Sequence, residues 1–119
     1  MDCNDFYMDF IGNLCPREYS LDSEWGLDVP WTLIFASLGR FFVNDFPLLD
    51  EEKRGNIFSL IKLAMEEKGR VSNAVATGLL EELHKASVKN SLSANEIIFR
   101  LDKESSRYLA AWAEWSGLQ

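Results

Sequence analysis

Few residues in this chain could take part in catalysis or bind a metal, and they are widely spaced. The sequence contains one histidine, His84, and two cysteines, Cys3 and Cys15, whose spacing does not match a zinc site. These residues do not supply the nucleophile, base and orienting group that covalent catalysis needs. The glycines stand singly, so there is no glycine-rich phosphate-binding loop. We therefore predict that the protein is not an enzyme and that it binds no metal or cofactor.

The carboxylates also lack the pattern of an acid–base pair. Three pairs of glutamates are adjacent in sequence: Glu51–Glu52, Glu66–Glu67 and Glu81–Glu82. Adjacent side chains on a helix point about 100° apart, so the two members of a pair cannot readily share a site. A glycosidase-type pair from separate helices stays an open alternative that no motif supports. Of the third pair, we expect Glu81 to point to solvent, and Glu82 to lie near the packed face and pair with a base or cap a backbone donor.

The charge of the chain is negative and is concentrated near its amino terminus. The formal net charge is −7, from 19 acidic and 12 basic residues. Residues 1–30 hold seven of the acids and a single base, Arg17, whereas residues 31–119 are almost balanced. Because the nucleic-acid backbone repels negative charge, we do not expect the protein to bind DNA or RNA. The same charge attracts a basic protein and speeds its association at low salt.

Six residues of this acidic region are the predicted contacts with a protein partner. They are Asp5, Asp9, Asp22, Glu24, Trp25 and Asp28. The carboxylates of the first helix, Asp2 included, share one arc, which is either a solvated face near the positive end of the helix dipole or an acidic strip for a basic partner. The aromatic residues of the following loop, Tyr19 and Trp25, either pack that loop onto the core or anchor an interface, where tryptophan and tyrosine are common.

Apolar residues recur with helical spacing along most of the chain, and no segment reads as a convincing strand. The boundary signals are Pro16, Pro47, Gly69, Gly117 and the N-cap candidates Asp50, Ser93 and Asp102. Residues 16–30 lie between two prolines without such periodicity and are predicted to form a long acidic loop. We expect an all-α fold, a single helical domain over residues 1–119 that forms a compact bundle of five or six helices. The apolar helix 31–46 belongs at its centre.

Several expectations concern the burial of single residues. In the segment 71–86 the predicted buried residues are Val71, Val75, Leu79, Leu83 and Ala86. His84 falls on the polar side of that segment, and Gly78 either allows a neighbouring helix to approach closely or is a tolerated weak point. In the last helix we expect a packed stripe of Tyr108, Trp112 and Trp115. Both cysteines are predicted to be free, partly buried thiols, as is usual in a cytoplasmic protein.

Two segments resemble helices of one class of bacterial proteins. They are VSNAVATGLLEEL at Val71–Leu83 and SSRYLAAWAEW at Ser105–Trp115. The class consists of small all-helical proteins of polymorphic-toxin and contact-dependent growth inhibition systems. The resemblance implies an immunity protein, which binds a cognate toxin domain and blocks it without catalysis. It extends only to a helical scaffold, formed by Val75, Gly78, Leu79, Leu80, Glu82 and Leu83, and assigns no contact with the partner.

Two functions are therefore expected from the sequence. The first is an immunity protein that binds a basic cognate toxin domain, such as a nuclease, and occludes its active site or substrate groove. The alternative is a helical adaptor or regulatory subunit that forms a homodimer through an aromatic surface. The amino terminus does not read as a secretory signal, and the longest apolar stretch, Trp31–Val43, is too short to span a bilayer. These features favour a cytoplasmic location without membrane association.

Overall fold

Six helices make up the part of the chain that the computed structural model describes, which is residues 1–19 and 29–116. They are α1 (Cys3–Ile11), α2 (Trp31–Asp45), α3 (Glu51–Glu66), α4 (residues 70–88), α5 (Leu92–Phe99) and α6 (Lys103–Ser116). A short 3₁₀ turn, Phe46–Leu48, joins α2 to α3 and contains Pro47. No strand occurs among the described residues. The predicted all-α bundle of helices is confirmed.

Two of the three predicted N-caps begin their helices as expected. The Asp50 carboxylate accepts a hydrogen bond from the Lys53 backbone N–H at 2.9 Å and starts α3. The Asp102 carboxylate accepts one from the Ser105 backbone N–H at 3.1 Å and starts α6. Such caps satisfy backbone donors that a helix leaves unpaired at its first turn. The starts of these two helices were therefore readable from the sequence.

The predicted N-cap Ser93 is wrong by two residues. Asn90 takes a left-handed backbone conformation, with φ of 68°, directly after α4. Asparagine tolerates this conformation better than most residues, and it turns the chain early. Ser91 therefore becomes the N-cap, and its Oγ accepts a hydrogen bond from the Ala94 backbone N–H at 3.2 Å.

Gly69 is not the residue that ends α3. Lys68 takes the left-handed conformation after that helix, with φ of 50°. Gly69 is extended and begins α4, where its N–H donates to the Ser72 hydroxyl at 2.8 Å. The first helix also ends at Ile11, before Pro16 is reached.

The core is built around α2, as its apolar sequence predicts. Phe35, Leu38 and Phe42 are fully buried on it, and α2 packs against α1, α4 and α5. The rings of Phe6 and Phe10 on α1 lie 4.9 Å from Phe35 and 5.8 Å from Phe42, measured between ring centres. Offset and edge-to-face pairs at these separations add to the stabilisation from burial alone.

The helix α4 contains a π-helical segment, Val75–Leu80, between its α-helical segments Arg70–Ala74 and Glu81–Val88. This segment is the part of α4 that packs most extensively on α2. A Cβ atom added to Gly78 would lie 2.4 Å from the Thr32 carbonyl oxygen, which is closer than real Cβ contacts come. Gly78 therefore permits a close approach of the two backbones, which confirms that interpretation of the glycine.

Two side chains that follow the π-helical segment, Glu81 and His84, do not lie where the sequence predicted. Because the segment has more residues per turn than an α-helix, a regular helical wheel does not hold across it. Leu83 is buried as predicted, whereas Ala86 is only half-buried. Glu81 faces α6, where its carboxylate accepts a hydrogen bond from the Tyr108 hydroxyl at 2.6 Å. His84, expected on the polar side, lies edge-on to Trp112 with ring centres 5.2 Å apart.

The packed stripe of α6 differs from the predicted one in its last turn. Ser105 and Leu109 are the buried residues of α6, Tyr108 and Trp112 are half-buried, and Trp115 is exposed. Ser105 is tolerated in the core because its hydroxyl donates to the Asp102 carboxylate at 2.6 Å. Gly117, the predicted end of this helix, lies outside the described residues.

The close approach at Gly78 makes a test of the fold. We expect Gly78→Ala to lower the free energy of unfolding by at least about 2 kcal/mol, because the added methyl group overlaps the backbone of α2. Gly55, inside α3, has no neighbouring atom within 4 Å of such a methyl group. Gly55→Ala should therefore raise the free energy of unfolding by about 0.5–1 kcal/mol. Urea denaturation followed by circular dichroism measures both, and equal effects would contradict the close approach.

The Tyr108–Glu81 hydrogen bond predicts a pH dependence. Burial, and then the bond to Glu81, raise the pKa of Tyr108 above its ordinary value of 10.0. The folded state thus favours the neutral phenol, and this stabilisation is complete below pH 10 and lost as the pH rises through the higher folded pKa. Tyr108→Phe should lower the free energy of unfolding by about 1 kcal/mol at pH 7 and by less at pH 11. The same loss at both pH values would contradict this assignment.

Candidate protein-interaction site

The outward face of α1 carries two of the six predicted partner contacts. Phe6 and Phe10 on the opposite face are fully buried, and this fixes the rotation of the helix. Asp5 and Asp9 are consequently exposed, one helical turn apart, with Met8 beside them at 56% exposure. Side chains four residues apart on a helix are surface neighbours, so the two carboxylates form one acidic face.

The carboxylates of α1 have different local roles. Asp2 is the N-cap, and its carboxylate accepts a hydrogen bond from the Asp5 backbone N–H at 2.8 Å. Asp5 completes a capping box by accepting from the Asp2 backbone N–H at 3.4 Å. Asp9 is not part of this cap. Among the described residues, no lysine or arginine forms an ion pair with any of the three.

A shallow groove runs between α1 and α3 beside this acidic face. It has a volume of about 290 Å³ and is lined by Asp9, Asn13, Asn56, Ser59, Leu60 and Leu63. The Asn56 side-chain amide donates to the Asn13 side-chain oxygen at 3.0 Å, and the Asn13 amide donates to the Asp9 backbone carbonyl at 2.9 Å. The groove therefore combines an acidic rim, a hydrogen-bonded polar end and an apolar wall.

The other four predicted contacts, Asp22, Glu24, Trp25 and Asp28, lie outside the described residues. Residues 16–19, which begin the predicted acidic loop, are described and pack against the core. The Tyr19 ring contacts Phe41 of α2 edge-on, with ring centres 5.6 Å apart. The Tyr19 hydroxyl donates to the Cys15 carbonyl at 3.0 Å. Tyr19 thus follows the interpretation in which aromatic residues pack the loop onto the core.

An ion pair between Arg17 and the buried Asp45 holds the start of the loop against α2. The Asp45 side chain is buried, and one of its oxygens accepts a hydrogen bond from the Cys15 backbone N–H at 3.0 Å. Its other oxygen pairs with the Arg17 guanidinium, which also lies 4.6 Å from the centre of the Phe41 ring. The hydrogen bond to Asp45 raises the pKa of Arg17, so the cation persists at every ordinary pH.

Sequence reasoning missed this pair, although one signal was present. Asp45 follows Leu38 and Phe42 at intervals of seven and three residues, which places a carboxylate on the buried face of α2. A buried carboxylate requires a partner, because an unpaired buried charge is costly. The other predicted pair, between Glu82 and a base, is confirmed, since Arg40 lies 3.3 Å from the Glu82 carboxylate.

A larger cavity lies where the amino ends of α1, α2 and α4 meet. Its volume is about 690 Å³, and Cys3, Trp31, Glu67 and Arg70 are among the residues that line it. Cys3 is buried and free, as predicted, and burial raises the pKa of its thiol, which keeps the thiol protonated and unreactive at neutral pH. Within residues 1–19 and 29–116, no group of three histidine, cysteine or acidic side chains could hold a metal ion.

None of the helices in the described part of the chain is both long enough and apolar enough to cross a membrane. Comparison with known proteins gives no match to a family model, a curated protein or a solved structure. The interpretation of the site therefore depends on its own geometry.

The Arg17–Asp45 pair, in which the carboxylate is buried, predicts an unequal response to loss of a charge. Asp45→Asn keeps the shape of the side chain but weakens its hydrogen bonds to Arg17 and to the Cys15 backbone, and we expect it to lower the free energy of unfolding by about 2 kcal/mol. Glu82→Gln breaks the more exposed pair with Arg40 and should cost less than about 1 kcal/mol. Urea denaturation compares the two. Equal losses would show that Asp45 does not anchor the loop.

Proposed function

We propose that this chain is an inhibitor of the immunity-protein type, which binds a basic cognate toxin domain and occludes its active site or substrate groove. A single observation carries the proposal. The α1 carboxylates are exposed and form no ion pair with any described lysine or arginine. They are therefore available to an external cation. A nuclease is one such partner, since a site built to bind phosphate is itself basic.

The electrostatics of α1 favour a charged partner over a neutral one. Two like charges one helical turn apart repel each other weakly in the free protein. A lysine or arginine from a partner removes this repulsion and forms charge-assisted hydrogen bonds with the carboxylates. Such contacts on the rim of an interface mainly raise the rate of association, and they weaken as salt screens the charges. Salt dependence is thus the signature of this mode of binding.

The resemblance to immunity proteins supports the scaffold of the proposal but not its contact surface. The segment Val71–Leu83 contains the π-helical segment, and its residues Val75 and Leu79 are fully buried. The second resembling segment lies in α6, which packs against α3 and the π-helical segment. Both segments therefore contribute buried residues to the core. The choice of partner would depend on other residues, and α1 supplies exposed ones.

The adaptor or homodimer alternative is favoured by one surface of α5. Leu92 and Phe99 are almost fully exposed and lie seven residues apart, so both project from the same side of the helix. Exposed apolar patches often mark interfaces. However, Glu96 lies between them, and two copies of α5 packed antiparallel would bring the two Glu96 carboxylates together. Light scattering distinguishes the alternatives, because a stable dimer without any toxin partner would favour this second function.

Coexpression tests the proposed function directly. The chain is produced together with the protein encoded by the immediately upstream reading frame, and growth rescue and copurification are scored. We expect rescue and a complex whose affinity falls as salt increases. If the upstream product is toxic and this chain neither rescues growth nor copurifies with it, the proposed function is wrong for that pair.

A charge-matched pair of variants tests the contact surface. We expect Asp5→Asn combined with Asp9→Lys to weaken the complex about tenfold and to reduce its salt dependence. Glu96→Lys combined with Glu114→Gln makes the same change in net charge at other exposed positions and should have little effect. A third variant reverses Asp22, Glu24 and Asp28. If affinity and salt dependence are the same for the first two variants, α1 is not the contact.

A further inference from the structure

We infer that the groove between α1 and α3 is the docking site for a basic amphipathic helix of the partner, an inference that rests on the proposed function. In this arrangement an apolar side chain of the partner helix packs against Leu60 and Leu63. Lysine or arginine side chains beside it pair with Asp5 and Asp9. This is the helix-in-groove mode of recognition, in which residues spaced by three or four positions act as anchors.

The apolar wall of the groove is provided by α3. Leu63 is 51% exposed and Leu60 is half-buried, and both line the groove. The groove, at about 290 Å³, lies at or below the lower end of the roughly 300–1,000 Å³ range of cavities that hold drug-sized ligands. Its size suits a side chain presented by a protein rather than a free small molecule.

The polar groups of the groove point to a basic partner. The Asn56 side-chain amide donates to the Asn13 side-chain oxygen, so these two polar groups are already paired within the groove. The carboxylate of Asp9 has no cation beside it among the described residues. On α3, Lys62 is turned about 100° away from Leu63 and is not among the residues that line the groove. The charge facing a docked helix is therefore negative.

A second copy of this chain is a poorer occupant of the groove. A symmetric contact through α1 and α3 would bring Asp5 and Asp9 of one copy close to the same residues of the other. Like charges facing each other across an interface disfavour association. A basic helix removes that repulsion and also covers Leu60 and Leu63. Charge complementarity thus selects the partner helix over self-association.

The inference is tested with the full-length chain and a synthetic helical peptide of leucine and lysine in which the leucines lie on one face. Binding is mapped by amide chemical shifts and measured by titration. We expect the shift changes to lie on α1 and α3, around residues 5–13 and 56–63. A peptide of the same composition in scrambled order keeps the charge but loses the apolar face, and it should bind at least tenfold more weakly.

A matched pair of variants separates packing from charge. Leu63→Glu adds a negative charge, so attraction by charge alone would strengthen binding of the basic peptide, whereas loss of the apolar wall weakens it. We expect affinity to fall at least tenfold. Leu33→Glu makes the same change on α2 at a leucine that is 68% exposed and outside the groove. It should leave the affinity unchanged or slightly higher.

Four results would overturn the inference. These are shift changes centred on the α5 surface of Leu92 and Phe99, equal effects of the two leucine variants, absence of saturable peptide binding, and concentration-dependent shifts that show self-association through the groove. The toxin assay distinguishes this failure from failure of the proposed function. If Leu63→Glu leaves growth rescue and copurification intact while the Asp5 and Asp9 changes abolish them, the inhibitor function stands and the groove is not its docking site.

Discussion

The close backbone contact between α2 and α4 is the constraint on which the rest of the bundle depends. Gly78 faces the Thr32 carbonyl without a side chain, and Gly39 on α2 similarly approaches the Leu79 carbonyl. Two helices can come this near only where the facing residues have small side chains, because protein interiors are close-packed. The contact places Phe35 of α2 against α4 on one side and against the α1 ring of Phe6 on another. The position of α1, and so of its acidic face, follows from this packing.

The distribution of charge follows a second constraint, set by the buried Asp45. A carboxylate near the carboxyl end of a helix faces the negative end of the helix dipole and needs a nearby cation. Arg17, the one base among the first 30 residues, supplies that cation at the surface end of α2, with 29% of its own side chain exposed. Arg17 therefore pairs with Asp45, and no ion pair among the described residues joins it to a carboxylate of α1.

The sequence predicted where the helices lie better than it predicted which way single side chains point or which helices pair. Apolar spacing identifies α2 and α3 because a regular helix of 3.6 residues per turn positions Ile57 and Ile61 on one face. The same rule misplaced Glu81 and His84, since it assumes that α4 keeps a constant turn through the π-helical segment. For the candidate site, the rule correctly predicted that Asp5 and Asp9 lie on the outward face of α1. It gave no indication of the groove, because the pairing of α1 with α3 depends on contacts between residues distant in sequence.

Charge and shape contribute different parts of recognition at this surface. Exposed carboxylates attract many basic proteins and raise the rate of encounter, but they discriminate poorly among them. Discrimination requires a surface that fits one partner and leaves others with unpaired or badly packed groups. Leu60 and Leu63 provide an apolar wall beside Asp9 on helices whose own packing already fixes their positions. A preformed surface loses little conformational entropy on binding, so most of the contact energy is retained as affinity. In the proposed function, the acidic face accounts for attraction of a basic partner, and the groove beside it would supply the specificity for one toxin.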